Sequence, residues 1–226
     1  EGEAWDEHLT DRYVVLANRV ARMARAHRPD AYATMYAYLS TLYPPRREQV
    51  EPNIVVQLVP YVDPLELETV RAHFEGWRKA GATKLMLRPN YHHKYLTTAM
   101  PTGVEKQMFD VFQLAYRNGC IATDYDSLRH QWAVTGITDY ILAKSFAEPE
   151  KPFEHWAAQY YDAFGEAADD VRDYYEYWRH EVWEKRLQPD IVTICDAGGA
   201  GDFDRGLFWS LDKYYTEEDF AKAAGI

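Results

Sequence analysis

The sequence predicts an α/β fold in which parallel strands alternate with helices, and three observations carry that expectation. Strand-like segments begin near Ala33, Asn53, Lys84 and Cys120, roughly 20, 30 and 35 residues apart with helical patterns between them, the spacing of β-α repeats. The segment Asn-Ile-Val-Val-Gln-Leu-Val from Asn53 to Val59 is a nearly continuous apolar, β-branched run, the pattern of a strand covered on both faces in a parallel sheet. Three strand ends carry chemistry-bearing residues: Tyr36 and Tyr38, then Asn90 to His93, then Asp124 to Ser127. The carboxyl ends of parallel strands are where such folds build their sites.

Taken in order, Thr10 and Asp11 open a helix that runs to about Arg25, with Leu16, Val20 and Met23 as its apolar face and Arg and Asn opposite. Pro29 and Asp30 stop it. Ala33 to Leu39 follows as a strand, and the gap to Asn53 leaves room for only a single helical turn. Asp63 caps the next helix, with Pro64 at its first position and Glu66 three residues after the cap. Gly81 ends it. After the short strand Lys84–Arg88, Gly103 to Asn118 is helical with Met108, Val111, Phe112 and Ala115 inward, and Gly119 breaks it before Cys120–Thr123. A further helix runs to about Lys144. Pro149 and Pro152 then mark a boundary, which predicts a barrel-like segment over 1–148 and a helical extension over 149–226. In the extension, Val171, Tyr175, Trp178 and Val182 form a buried seam. Ile191 to Cys195 reads as a short strand or extended piece, and Thr216 caps a last helix with Asp219 three residues on.

Composition narrows the partners. A net charge of −11 argues against nucleic acid or an anionic membrane, both of which need a basic face. No apolar run reaches the roughly 20 residues that span a bilayer. Aromatics make up 15% of the chain, with 18 Tyr and 7 Trp, which suits either a large core or the stacking of flat amphipathic ligands such as sugars. The two cysteines, Cys120 and Cys195, have no metal-knuckle spacing. No dinucleotide, phosphate-loop or nucleophile-elbow motif occurs, so no cofactor is expected. His92-His93 lacks metal-binding spacing, and Asp202-Phe-Asp204 fails as a calcium loop because Lys213 stands where a Glu is needed.

The stretch from Gly119 to Trp132 is the densest candidate site. A strand delivers Asp124 and Asp126 onto a turn, with Ser127, His130 and Trp132 close behind. The competing reading is that Asp124 or Asp126 merely caps the following helix. If neighbouring strands are parallel, Tyr38, Asn90, Tyr91 and His92 join Asp124 and Asp126 on one rim. Carboxylates and Asn bind hydroxyls, and aromatic faces cover the C–H side of a sugar ring. Asp124 and Asp126 are the candidates for acid/base work, which in glycoside cleavage needs two carboxylates flanking the bond. Tyr38, Asn90, Tyr91, His92 and Trp132 are the candidate substrate contacts. The expectation is a glycoside-hydrolase-like, carbohydrate-active protein. Its rivals are a non-catalytic carbohydrate-binding or scaffolding module, and a polysaccharide lyase using Tyr91 and His92. The rim shows no arginine cluster to neutralise a uronate, which counts against the lyase.

The segments Asp11-Arg-Tyr-Val, Ala17-Asn-Arg-Val, Pro52-Asn-Ile-Val-Val-Gln, Asp124-Tyr-Asp-Ser, Trp132-Ala and Phe164-Gly-Glu-Ala-Ala together resemble an uncharacterised bacterial domain family. That family occurs in polysaccharide-utilising bacteria and is similar to the barrels of α-glucuronidases and β-hexosaminidases. The resemblance covers roughly residues 10 to 187. It implies the later half of a (β/α)8 TIM-like barrel, about four parallel strands with their helices, followed by a helical segment. A whole barrel takes about 250 residues. The resemblance further implies a carbohydrate ligand, an upstream part of the same polypeptide that completes the barrel and holds part of the catalytic set, and a secreted or periplasmic location.

Overall fold

The computed structural model describes residues 9–60, 67–89, 100–125, 132–199 and 203–226, with Trp132 as backbone alone. The described residues fall into two compact units, one made of 9–60, 67–89 and 111–125, the other of 100–110, 132–199 and 203–226.

The first unit is built on four parallel strands, β1 (Ala33–Ala37), β2 (Ile54–Leu58), β3 (Lys84–Leu87) and β4 (Cys120–Thr123), in the order β1-β2-β3-β4. Helices α1 (Leu9–His27), α2 (Leu67–Lys79) and α3 (Glu105–Arg117) alternate with them, and the β1–β2 connection holds only a 3-10 turn at Leu39–Thr41. These are the strands and the single-turn connection the repeat spacing predicts, in the arrangement of part of an α/β barrel. The register places Ala37, Leu58, Leu87 and Thr123 in one row. One sheet face is closed: Met35, Ala37, Ile54, Val56, Leu58, Leu85 and Leu87 are all buried.

The opposite face differs from expectation. Val55 and Gln57 alternate with the buried residues of β2 and are only half-covered. Thr34 and Tyr36 beside them are exposed, and Met86 and Lys84 half-covered. The continuous run of β2 therefore marks a strand covered on one face and half-open on the other. Its second-face residues are those a barrel would turn inward.

Helix α1 also reverses the sequence reading. Leu16 (59% exposed), Val20 (49%) and Met23 (58%) face outward. The inward residues are Val14, Asn18 and Ala21. The reason is a set of hydrogen bonds to the segment leading into β2. The Asn18 amide donates to the Gln49 carbonyl (2.7 Å) and accepts from the Glu51 N–H (2.9 Å). Asn53 donates to the Ala21 carbonyl (2.9 Å), and the Asp11 carboxylate accepts from the Arg47 and Glu48 N–H groups at 3.0 Å each. The four backbone groups that meet Asn18 and Asp11 would otherwise be stranded near the core. Asn18→Leu, although more apolar, is thus expected to cost about 1–3 kcal/mol by leaving two of them unpaired. Val20→Gln is expected to change stability by less than about 0.5 kcal/mol. Urea unfolding of the two variants checks the inversion.

The second unit is helical. The first turns of α3 join α4 (Trp132–Ala147), α5 (Phe153–Asp162), α6 (Ala168–Tyr177), a π-helical continuation at Trp178–Leu187, α7 (Ile191–Gly198), α8 (Phe203–Trp209), α9 (Leu211–Tyr214) and α10 (Glu217–Ala223). Phe109, Ile137, Ile141, Phe153, Trp156, Tyr160, Tyr161 and Tyr175 form a core. Tyr175, Trp178 and Val182 are buried as the seam predicts, with Val171 packed at the edge of the core. The segment at Ile191 is a helix instead of a strand. Adjacent Ile194 and Cys195 are both buried and Gly198 joins them a turn later, which is helical and not alternating periodicity. Helix α8 packs so closely on α7 that a Cβ at Gly206 would overlap the Ile194 carbonyl. No helix among the described residues is long and apolar enough to cross a membrane.

Candidate functional site

The carboxyl ends of the four strands extend the ladder by one residue. The Val59 N–H donates to the Ala37 carbonyl (3.0 Å), the Arg88 N–H to Leu58 (2.7 Å) and the Asp124 N–H to Leu87 (2.9 Å). Parallel pairing continued in this way sets Tyr38, Val59, Arg88 and Asp124 in one row across the rim. Because side chains alternate along a strand, the row shares the half-open face with Tyr36, Gln57 and Met86.

Two charges meet on that row. Arg88 Nε lies 3.2 Å from Asp124 Oδ2, the arginine side chain 21% exposed and the carboxylate 54%. The Arg88 guanidinium also sits over the Tyr36 ring at 5.3 Å, so it spans β2 and ties β4's tip to β1. Tyr38 stands at the other end of the row, three strand spacings or about 14 Å from Asp124. Its main chain is fixed by Thr41, whose hydroxyl donates to the Tyr38 carbonyl at 2.9 Å. Leu39 next to it takes φ 49°, a left-handed conformation uncommon outside glycine, which turns the chain sharply off the rim.

The sequence-predicted site thus divides. Asp124 and Tyr38 share one rim at opposite ends. Asp126, Asn90, Tyr91 and His92, and the Trp132 side chain, lie outside the described residues. Arg88 is the site residue that sequence reading missed: a single arginine on the rim, which is not the arginine cluster whose absence the sequence reading noted. The signal was available: Arg88 follows Lys-Leu-Met-Leu as Asp124 follows Cys-Ile-Ala-Thr, so both are the first residue past a strand.

Behind the rim, burial pushes the Cys120 thiol up to about 12, which removes it as a nucleophile at neutral pH. Burial also pushes the Tyr125 phenol up. Among the described residues no three His, Cys, Asp or Glu side chains converge as a metal site. General-acid work calls for a carboxyl in an apolar, desolvated setting. Asp124 is exposed and paired with Arg88, a setting suited to gripping a hydroxyl.

Beside β1 lies a second feature. An apolar groove of about 580 Å³ runs between α1 and β1, lined by Tyr13, Leu16 and Val20 on one side and Thr34, Tyr36 and Tyr38 on the other. It joins the outward stripe of α1 to an edge strand of the described sheet.

Residues 3–176 match the model of a family described as a domain of unknown function, DUF4838. No curated protein and no solved structure matches the chain. The matched span takes in the whole parallel sheet and runs on through α4, α5 and most of α6. Since it covers well over half of the sequence, the chain belongs to the DUF4838 family.

Proposed function

We propose that this chain is part of a glycoside-hydrolase-like, carbohydrate-active protein whose strand-end rim binds a glycan. In this reading Asp124 and Arg88 hold sugar hydroxyls, Tyr36 and Tyr38 supply aromatic surface, and Asp126 carries acid/base chemistry with Asn90, Tyr91, His92 and Trp132 as further contacts. The observation that carries it is the row Tyr38–Val59–Arg88–Asp124 at the carboxyl ends of parallel strands. It combines a paired carboxylate and guanidinium with nearby rings, the grammar of hydroxyl and C–H recognition.

The Arg88–Asp124 pair favours a second reading, a non-catalytic carbohydrate-binding module, because a carboxylate held in an ion pair at the surface grips a ligand better than it transfers a proton. Arg88 also supplies a cation that a uronate would need, which keeps a lyase acting on acidic glycans as an outcome of the same test. Asp124→Asn and Asp126→Asn are made separately in the whole natural polypeptide and assayed for binding and turnover on xylan, cellulose, chitin and pectin. The hydrolase reading expects Asp126→Asn to lower kcat by about 10²–10⁴-fold with binding kept, and Asp124→Asn to weaken binding. Binding without turnover in the wild type supports the module instead. Ultraviolet absorbance from unsaturated product supports the lyase, and absence of both binding and turnover on every glycan sinks all three.

The groove beside β1 supports a partner within the same polypeptide: a preceding strand and helix that pair with the β1 edge and cover Leu16, Val20 and Met23. A helix that leads into a parallel strand enters from a neighbouring strand by a right-handed crossover. With the order β1-β2-β3-β4 advancing one strand at a time, that neighbour belongs on the free side of β1.

A further inference from the structure

Helix α1 carries a charge of the opposite sign to the chain as a whole. Its 19 residues hold four arginines, Arg12, Arg19, Arg22 and Arg25, against the single carboxylate of Asp11, in a chain whose net charge is −11. Asp11 is buried and accepts from the Arg47 and Glu48 N–H groups. Arg22 and Arg25 both reach Glu51, at 2.9 and 3.2 Å. Arg12 and Arg19 are exposed, and among the described residues neither forms an ion pair or a hydrogen bond.

Their position gives these two arginines a use. A helix turns about 100° per residue, which sets Arg12 and Arg19 on one line, two turns apart. That line lies about 40–60° around from Leu16, on the side away from Tyr13. The outer surface of α1 therefore runs in a fixed order from the sheet. First comes the groove, lined by Tyr13, Ala17, Thr34 and Tyr36. The exposed stripe of Leu16, Val20 and Met23 follows, and the two arginines border it. Packed helices choose partners with this layout: the stripe supplies area, and charges along its flank set which partner fits and in which register.

The charge pattern narrows the occupant. A basic flank beside an apolar stripe also suits an anionic lipid surface, but the net charge of −11 opposes approach to one. Antiparallel pairing of α1 with a second copy sets the same flank of each helix together, arginine against arginine. We infer that α1 is flanked, in the whole polypeptide, by a helix that lays an apolar face on Leu16, Val20 and Met23. That helix presents carboxylates to Arg12 and Arg19, spaced about 10 Å or two turns along its axis. The inference rests on the cover proposed above for the free side of β1. Helices of such folds form one outer ring, so the helix preceding the added strand comes beside α1.

The test uses the whole natural polypeptide with Leu16→Cys as a thiol probe. The same polypeptide without that substitution gives the background from Cys120 and Cys195. Slow modification of the probe by a maleimide is expected. Arg12→Glu combined with Arg19→Glu is expected to speed it about tenfold, the combined worth of two exposed ion pairs. The increase is expected to shrink in 1 M salt, where screening reaches in to about 3 Å. A probe that reacts as fast as a free thiol means that nothing covers the stripe, and the cover and its carboxylates fall together. A protected probe with a rate unchanged in the double variant, or raised equally at all salt concentrations, overturns the carboxylates and leaves the cover standing. Protection that grows with protein concentration assigns the stripe to a second copy. Binding to phosphatidylglycerol vesicles that the double variant abolishes assigns it to a lipid surface. Either result overturns the inference. None of these readouts uses a glycan, so failure of the rim reading leaves them intact.

Discussion

Glu105→Ala is expected to destabilise the chain by about 1–3 kcal/mol, because it takes away the buried partner of Arg179 and leaves that guanidinium only the partly exposed Glu176 at 3.4 Å as a counter-charge. The Glu105 side chain is 3% exposed and that of Arg179 9%, with Oε1 and Nη1 3.3 Å apart. Glu105 opens α3, so its carboxylate also meets the positive end of that helix. Gly103, at φ 73°, presses against the Arg179 backbone, where any Cβ would collide, which fixes the point from which the Arg179 side chain departs. Burial still pushes the Glu105 carboxyl up, with Arg179 opposing. Desolvation therefore outweighs the attraction between the charges. It follows that the double replacement Glu105→Leu with Arg179→Met recovers most of the loss, as apolar substitutes for a buried pair commonly do. The raised carboxyl carries a sign as well: this group's contribution to stability is fully present below the ordinary glutamate range and is lost as pH rises through the folded-state value. Urea midpoints at constant slope for the single and double variants decide the matter. A single-variant cost below about 1 kcal/mol would mean that solvent reaches the pair, since exposed pairs are worth no more than that.

The sheet was legible because its signals are local. Gly81 and Gly119 both take positive φ, 92° and 71°, and each separates a helix from the next strand as a left-handed stop should. The repeat spacing then left little choice of topology. What misled was the assumption that an apolar stripe points inward. In α1 the small and polar residues Asn18 and Ala21 let the helix approach the segment that feeds β2, and backbone groups there reward hydrogen bonding more than apolar cover. The stripe of Leu16, Val20 and Met23 is information about a neighbour, and a single segment cannot say whether that neighbour is its own sheet. The same holds for β2, where Val55, apolar, and Gln57, polar, both answer to the half-open face.

The site was partly legible for a different reason. Asp124 could be placed at a strand end from the sequence because strand ends are read from short apolar runs. Arg88 could be placed at a strand end by the same signal, but its pairing with Asp124 could not, since pairing depends on register between β3 and β4, and that register shifts between Leu85 and Met86. Only with the ladder in view does Arg88 come opposite Asp124.

The second large effect is expected at Asp219, whose loss should release the last helix. Asp219→Ala is expected to cost about 3–5 kcal/mol. The carboxylate side chain is 3% exposed and gathers five donors. Arg186 donates twice, at 2.6 and 2.9 Å, and the Tyr177 hydroxyl once at 2.6 Å. The Thr216 N–H and hydroxyl complete the set at 2.7 and 2.9 Å. Asp219 is thus at once the third residue of a capping box and the anchor that ties α10 to the helix carrying Tyr177 and Arg186. The Arg186 bonds above all hold its carboxyl far below the usual range. The group's contribution is therefore fully present above the ordinary aspartate value and is lost as pH falls through the depressed one. This is opposite in sign to Glu105, so the two residues shape different limbs of the stability profile. Asp219→Asn keeps the side-chain shape and part of the cap but removes the charge. It is expected to lower stability at neutral pH and to flatten the acid limb, measured as the melting midpoint between neutral pH and strong acid. An acid limb unchanged in Asp219→Asn would show that another carboxylate controls acid unfolding. A neutral-pH midpoint unchanged in Asp219→Ala would mean that α10 is held by its apolar contacts, Phe220 against Trp178 at 5.5 Å and against Tyr215 at 6.2 Å, and not by the charge at its foot.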